Sequence, residues 1–380
     1  MHRYLTPYIL KDLERKMVFI GGPRQVGKTT LTKALHTTFL HEEYFNWDAI
    51  EDKRAILNKQ WSATSPLVIF DELHKYPRWK QWIKGVYDKK PAHQQYCVTG
   101  SARLDVYKRG GDSLLGRYHY WRLHPLTLDE LPAEIDTREA YHRLLTVGGF
   151  PEPFLLNDER EARRWRRERF DRILREDVRD LEQIRQLSML DLFVDALRAR
   201  VSGMITLSNI AQDLQIAPNT AKKWLDLIER LYIAFSIKPL TKNIFRAIQK
   251  PPKVYFYDNA DVIETRGPRL ENLIATHLLK RLNFIEDYFG YRCSLHYIRD
   301  KDGREVDFVT VIDHVVCDLI EVKESDTSIS SALKYYTKSL NPKRAIQIVG
   351  DLKRPFDQEG IHVTNPIDFF VNPPWEVGPR

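Results

Sequence analysis

The chain has 380 residues, 43% hydrophobic and 29% charged, which excludes a mostly disordered or fibrous protein and leaves room for two to four domains with separate cores. Lys and Arg number 59 against 52 Asp and Glu, a net charge of +7 that suits either a soluble surface or a polyanionic partner such as nucleic acid. Three scattered cysteines, Cys97, Cys293 and Cys317, exclude a disulfide framework and form no Cys-x-x-Cys zinc pair; no apolar run approaches the roughly 20 residues that cross a bilayer, so a cytoplasmic protein without a membrane partner is expected.

Residues 17–20 form a short apolar run, followed by GGPRQVGKTT and then by LTKALHTTF with Leu31, Ala34 and Leu35 at helical spacing. This order predicts strand, glycine loop, helix. Gly22, Pro23, Arg24, Gln25, Val26, Gly27, Lys28 and Thr29 match G-x-x-x-x-G-K-[ST], with Thr30 directly after. Glycines let backbone N–H groups turn inward on a phosphate chain, Lys28 reaches the terminal phosphates, and the Thr29 hydroxyl can ligate magnesium. The expected ligands are therefore ATP and Mg2+.

Residues 66–70, PLVIF, read as a parallel strand covered on both faces and ending in Asp71-Glu72. Asp71 can hold the magnesium through water, and Glu72 can polarise the water that attacks the terminal phosphate. The next strand, residues 95–98, ends in Thr99-Gly100-Ser101, polar groups placed to face that phosphate. A turn-rich stretch, residues 108–112, leads to SLLGR and Arg117. An arginine there can stabilise charge in phosphoryl transfer, often from a neighbouring subunit, or form a surface salt bridge.

Together GGPRQVGKTTL, EYFNWD, VIFDELHKYPRW, TGSARL and LLGR resemble the AAA-type ATPases of archaea and bacteria that carry a carboxy-terminal nuclease-like domain of unknown function. The resemblance runs over nearly the whole chain. It implies an ATPase core with a parallel sheet, a small helical lid, and assembly as a ring or other homo-oligomer.

Gly148-Gly149-Phe150-Pro151-Glu152-Pro153 separates two helical segments, and is either an ordinary loop or the Gly-x-Pro hinge that similar ATPases place between core and lid. EREARRWRRERFDRILREDVRDLEQIR predicts a long helix with Arg163, Arg164, Arg166, Arg167, Arg169 and Arg172 near its front. Arg163 and Arg167 are candidates for DNA phosphates; interleaved Glu168, Asp171 and Glu176 offer intrahelical pairing instead.

Residues 205–233 have helix-turn-helix spacing, with Asn219, Lys222 and Lys223 at the exposed front of the second helix, where such folds meet the major groove. Strands over 234–239 and 253–257 would supply a wing. Many such modules pack on protein instead.

Arg304 to Val311 alternates polar and apolar residues, turns near 312–314, and returns as CDLIEVK. A turn centred near His314 places Asp307 opposite Glu321, with Lys323 on the same face. Paired carboxylates repel unless a divalent cation bridges them. The arrangement resembles the PD-(D/E)xK nuclease fold: Asp307 takes the aspartate position, Glu321-Val322-Lys323 the E-x-K, and Glu271, in the helix RLENLIATHLLKRL, the preceding glutamate; Val306 stands where proline would. The resemblance implies Mg2+ or Mn2+ on Glu271, Asp307 and Glu321; a nuclease-like fold kept for binding is the alternative.

The expected architecture is an α/β chain: an AAA+-type P-loop core (1–130), a helical lid with the Arg-rich helix (131–200), a winged-helix domain (201–260), and a PD-(D/E)xK nuclease-like α/β domain (261–380). The expected function is ATP-driven DNA processing with metal-dependent cleavage, or a nucleotide-controlled switch that binds DNA or protein without cutting.

Overall fold

The computed structural model describes residues 3–39, 41–101, 114–131, 134–177, 187–241, 250–263 and 266–371. The chain divides into two compact units, Met1–Pro125 with Asp171–Gln183, and Leu126–Phe170 with Ile184–Arg380.

In the first unit, β1 (Met17–Gly21), β2 (Glu42–Asn46), β3 (Leu67–Asp71), β4 (Gln95–Gly100) and β5 (Tyr118–Arg122) form a parallel sheet ordered β2-β3-β4-β1-β5. The inner strands MVFIG and LVIFD are buried at every position, as continuous apolar runs in a two-sided parallel sheet must be. Edge strands β2 and β5 are only half-buried. Phe19, Val68, Phe70 and Tyr96 pack with Trp79 and Ile83 from the helix Trp79–Tyr87. Because Gly21 pairs with Gly100, and β3 runs parallel to β4, the segments after β1, β3 and β4 all leave from one edge of the sheet. That edge carries the phosphate loop.

The second unit holds an eight-stranded sheet ordered β12-β13-β11-β10-β9-β8-β6-β7, with β6 Ala234–Pro239, β7 Lys253–Phe256, β8 Cys293–Arg299, β9 Glu305–Ile312, β10 Val315–Lys323, β11 Arg344–Val349, β12 Phe356–Gln358 and β13 Ile361–Thr364. The strands expected as a wing, β6 and β7, are an antiparallel pair at the edge of this sheet, β6 running parallel to β8. Two helices, Leu207–Asp213 and Pro218–Arg230, flank a turn at Gln215 in the left-handed region, and bury Ile210, Ala211, Trp224, Leu225 and Ile228. The Arg-rich segment is helical over Glu159–Arg172 and ends in a π-helical turn, Ile173–Asp177; its further extent lies outside the described residues.

The helix Arg266–Phe289 buries Leu270, Leu273, Ile274, His277 and Leu278. His277 ties it to residues 126–130: Nε2 accepts from the Leu128 amide at 3.0 Å, while Nδ1 lies 2.8 Å from the Leu273 carbonyl. Lys280, one turn on, meets Thr127, Asp129 and Glu130. No helix among the described residues is long and apolar enough to cross a membrane.

Burial pushes His277 down to about 4, so the folded chain holds it neutral while the unfolded chain binds a proton near 6.5. Unfolding then takes up one proton between these values. Stability should fall as pH drops from 6.5 towards 4, with His277 contributing a slope of about 1.4 kcal/mol per pH unit. Urea titrations of wild type and His277→Gln across this range check it; equal slopes in the two proteins would exclude His277 as the source.

Candidate functional site

The loop after β1 closes where only glycine fits. Gly22 has φ +154°, and a Cβ there would lie 2.3 Å from the Leu123 carbonyl oxygen. Gln25 and Gly27 adopt φ +61° and +95°, a run of conformations that turns backbone N–H groups into a concavity suited to phosphate oxygens. Lys28 is buried, its ammonium donating to the carbonyls of Gly22 (3.0 Å) and Pro23 (2.7 Å) across the loop. Buried Arg3 braces the loop from behind, donating to the carbonyls of Val26 (2.7 Å) and His124 (2.6 Å). Arg24 donates to Glu176 at 2.5 Å, and Gln25 and Thr30 are exposed.

Asp71 ends β3 and receives three hydroxyls: Thr29 at 2.8 Å, Tyr44 at 2.5 Å, and Thr99. Burial and the Asp71 carboxylate push the Tyr44 phenol well above its ordinary range. A loop threonine hydrogen-bonded to an aspartate is the pair that magnesium divides between direct and water-mediated ligation. Magnesium with a triphosphate therefore fits this donor set. Glu72 sits in the left-handed region at φ +56°, turned to accept from Ser101 at 3.1 Å. His74 Nε2 and Lys75 Nζ lie 3.7 and 3.8 Å from its carboxylate. Burial lowers the His74 pKa, which favours a neutral ring beside the carboxylate. Thr99 and Ser101, expected to face the phosphate, thus each hold one acid of the pair.

Arg117 is not brought to this edge. Met17 donates its amide to the Arg117 carbonyl, and β1 runs four further residues, roughly 13 Å, before the phosphate loop begins. The guanidinium pairs with Asp88 through two bonds of 2.7 and 3.2 Å. Arg117 thus stands away from its own chain's phosphate loop and in the surface salt bridge that was one of the expectations for it; the stretch 108–112 lies outside the described residues.

In the second unit, Asp313 and His314 form a two-residue turn with φ +45° and +68°, and Val315 pairs with Ile312. Continued unbroken, that register would set Asp307 against Ile320. A shift between Val316 and Asp318 adds one residue, so that Ile320 pairs with Phe308 and Glu321 comes next to Asp307. The Val322 amide donates to Asp307 Oδ2 at 3.0 Å, and Lys323 Nζ lies 2.7 Å from Glu321 Oε1. Glu271 joins them from the helix Arg266–Phe289.

Sequence reasoning missed the centre of this cluster. Lys253, on β7 and 1% exposed, places Nζ 2.7 Å from Glu305 Oε1 and 3.3 Å from both Glu271 Oε1 and Asp307 Oδ1. Tyr255, two residues on and so on the same face of the strand, donates to Glu271 Oε1 at 2.6 Å. Burial opposes the Lys253 charge, but the three carboxyl groups outweigh it and hold the ammonium well above its ordinary range. Burial and the charge of Asp307 push Glu271 up to about 8 and Glu321 up to about 7. The carboxyl groups of the cluster thus crowd around two ammonium groups, Lys253 and, at Glu321, Lys323. Among the described residues no group of three or more His, Cys, Asp or Glu side chains could hold a metal ion. As arranged, the donor set does not fit a divalent ion between Glu271 and Asp307, because their facing oxygens are given to Lys253.

Asn219, Lys222 and Lys223 are exposed on the helix Pro218–Arg230. Arg163 and Arg167 are exposed too; Arg163 reaches Glu159 at 3.5 Å and Arg164 reaches Glu161 at 3.3 Å, the intrahelical pairing open to this helix. Arg169 instead lies buried over the Phe150 ring at 4.0 Å.

Residues 14–132 match the family described as AAA domain, 138–262 a domain of unknown function (DUF8612), and 266–368 a domain of unknown function (DUF4143). An uncharacterized protein of Mycobacterium tuberculosis is 25% identical over 247 residues, covering 64% of this chain and 54% of that protein. One of Methanocaldococcus jannaschii is 22% identical over 370 residues, covering 87% and 80%. The chain spans about half the length of the mycobacterial relative it matches. Among solved structures, a Walker-type ATPase of Pyrococcus abyssi is similar with TM-score 0.42 and 15% identity over 68% of this chain and 93% of that one. A Signal Transduction ATPase with Numerous Domains from Pyrococcus horikoshii, with a tetratricopeptide repeat sensor, has TM-score 0.24 and 12% identity over 76% and 48%. The stretch matching the AAA domain is the one that builds the phosphate loop and its acid pair, so this part of the chain is similar to AAA-type P-loop ATPase domains.

Proposed function

We propose that this chain is an ATP-hydrolysing, DNA-acting switch of the cytoplasm, in which nucleotide turnover in the first unit governs how the second unit engages DNA. The observation that carries it is the bond from Thr29 to Asp71 at the foot of a closed phosphate loop, with Glu72, next in the chain, held by Ser101. Lys28, leaving the carbonyls of Gly22 and Pro23, reaches the terminal phosphates. Thr29 and Asp71 hold the magnesium, whose charge offsets that of the phosphates when it is bound. Glu72, aimed by Ser101, accepts a proton from the attacking water. Arg117 serves a neighbouring copy in a homo-oligomer, since it stands at the wrong end of β1 for its own. Duplex contact falls to Asn219, Lys222 and Lys223, and phosphate contact to Arg163 and Arg167.

A second reading, phosphodiester cleavage by the nuclease-like domain with Mg2+ or Mn2+, is favoured by the meeting of Asp307, Glu321, Lys323 and Glu271. Lys253 among those carboxylates favours binding without cutting. Labelled linear, gapped and four-way DNA separate the two: under the switch reading, wild type and Asp307→Ala leave every substrate intact. Cleavage that disappears with Asp307→Ala would establish the nuclease.

Two further outcomes follow from the residues. Glu72→Gln should keep nucleotide binding while slowing ATP turnover by about 10²–10⁴-fold, whereas Lys28→Ala should lose nucleotide binding as well. Fluorescent-nucleotide titration beside phosphate release measures both, and unimpaired turnover by Glu72→Gln would remove its role. Lys222→Glu with Lys223→Glu should weaken duplex retention at low salt and reduce the slope of log affinity against log salt by about 2. Failure of wild type to retain any duplex at low ionic strength ends the DNA reading.

A further inference from the structure

The oxygens of the acidic cluster in the second unit are almost fully assigned. Glu305 gives Oε1 to Lys253 and Oε2 to Arg299 at 2.6 Å. Asp307 gives Oδ1 to Lys253 and Oδ2 to the Val322 amide, and Glu271 gives Oε1 to both Lys253 and Tyr255. Glu321 gives Oε1 to Lys323, while its Oε2 is buried and takes no hydrogen bond. The cation touching three of these carboxyl groups is the Lys253 ammonium.

Backbone contacts hold it there. Lys253 forms an isolated β-bridge with Met204, the preceding Pro252 accepts the Ile205 amide at 2.8 Å, and Pro251 accepts the Tyr297 hydroxyl. The side chain therefore enters the cluster from a fixed strand and is sealed from water. Divalent ions sit about 2.0–2.6 Å from their oxygens and need the same facing atoms. Two positive centres roughly 3 Å apart inside a buried site repel strongly, so one seat cannot take both.

We infer that Lys253 is a resident cation of this cluster, seated between Glu271 and Asp307 in the place a divalent ion would take, so that lysine and metal exclude each other there. The inference rests on the reading that Glu271, Asp307 and Glu321 form one site, and deepens it by naming what controls the site's metal access. Lys253 acts as a positioning residue. It holds the carboxyl groups together without metal, and only its departure frees them to act as ligands.

The test uses the full chain without nucleotide, with Mn2+ as the probe, its binding followed by electron paramagnetic resonance of the free ion. Wild type should show no Mn2+ site that depends on Asp307. Lys253→Met should gain one, on the order of tenfold or more tighter than any wild-type binding, and its melting temperature should rise on adding Mn2+. Both gains should vanish when Asp307→Asn is added. Wild type binding Mn2+ through Asp307 as tightly as the Lys253→Met protein would overturn the inference while supporting the metal-nuclease reading. A folded Lys253→Met protein, judged by circular dichroism, that gains no site would overturn it too. Should Lys253→Met not fold, Lys253→Met with Glu305→Gln removes one charge of each sign and is judged by the same two outcomes. DNA retention by wild type is measured separately, so loss of the DNA reading leaves the metal result standing.

Discussion

Taking a carboxyl group out of water at the end of a strand is unfavourable by several kcal/mol unless hydrogen bonds or opposite charge compensate it. Both functional regions are organised around this demand and meet it differently. Asp71 is compensated by hydroxyls from Thr29, Tyr44 and Thr99, which leave its charge in place. Glu271, Glu305 and Asp307 are compensated by the Lys253 ammonium they share, with Tyr255, Arg299 and the Val322 amide each serving one of them. Hydroxyls can turn to share an ion with the carboxylate they serve, whereas an ammonium has to move away. The donor set of the first region thereby fits magnesium, while the seat between Glu271 and Asp307 is held by the ammonium.

The phosphate-binding edge also depends on backbone conformations that side chains rarely adopt. Gly22, Gln25 and Gly27 shape the loop, and Glu72 is turned out of β3 in the left-handed region. Strain of this kind persists where surrounding contacts over-determine it. Here Arg3 pins the Val26 carbonyl, and Ser101 takes the Glu72 carboxylate. Thr99 lies in β4 and Ser101 just past its end, so this one segment sets the spacing between Asp71 and Glu72.

The parts legible in the sequence are those whose chemistry is local. The phosphate loop, the acid pair after β3 and the period-two face shared by Asp307 and Glu321 lie within short stretches where residue type and spacing carry the geometry. Lys253 was illegible because it meets Asp307 from 54 residues away, through a strand pairing that nothing around Pro251-Pro252-Lys253 announces. Tyr44 and Arg3 were missed for the same reason, each reaching its partner across the sheet or from before the first helix. The sequence left open whether Arg117 serves its own chain, a neighbour or a salt bridge, because LLGR does not reveal which end of the sheet it stands at; that follows from β5 running parallel to β1. The strands read as a wing were recognised as a pair, but their union with β8 is set by tertiary packing. The arginines of residues 163–172 were readable as a group, yet only burial separates Arg169, stacked on Phe150, from the half-buried Arg166 and the exposed Arg163, Arg164, Arg167 and Arg172.

The extra residue near Cys317 gives the hairpin a property of parity. Between Asp307 and Glu321 the number of residues is odd, and the irregularity between Val316 and Asp318 absorbs the one that a two-residue turn leaves over. While the irregularity is kept, a single insertion or deletion elsewhere in that stretch would bring Ile320 or Val322 inward and turn the carboxylate to the opposite face, whereas loss of the extra residue itself would leave a regular ladder with Glu321 still beside Asp307. The acidic cluster is thus guarded by a count along the hairpin, and with the irregularity in place length changes tolerated there should come in twos.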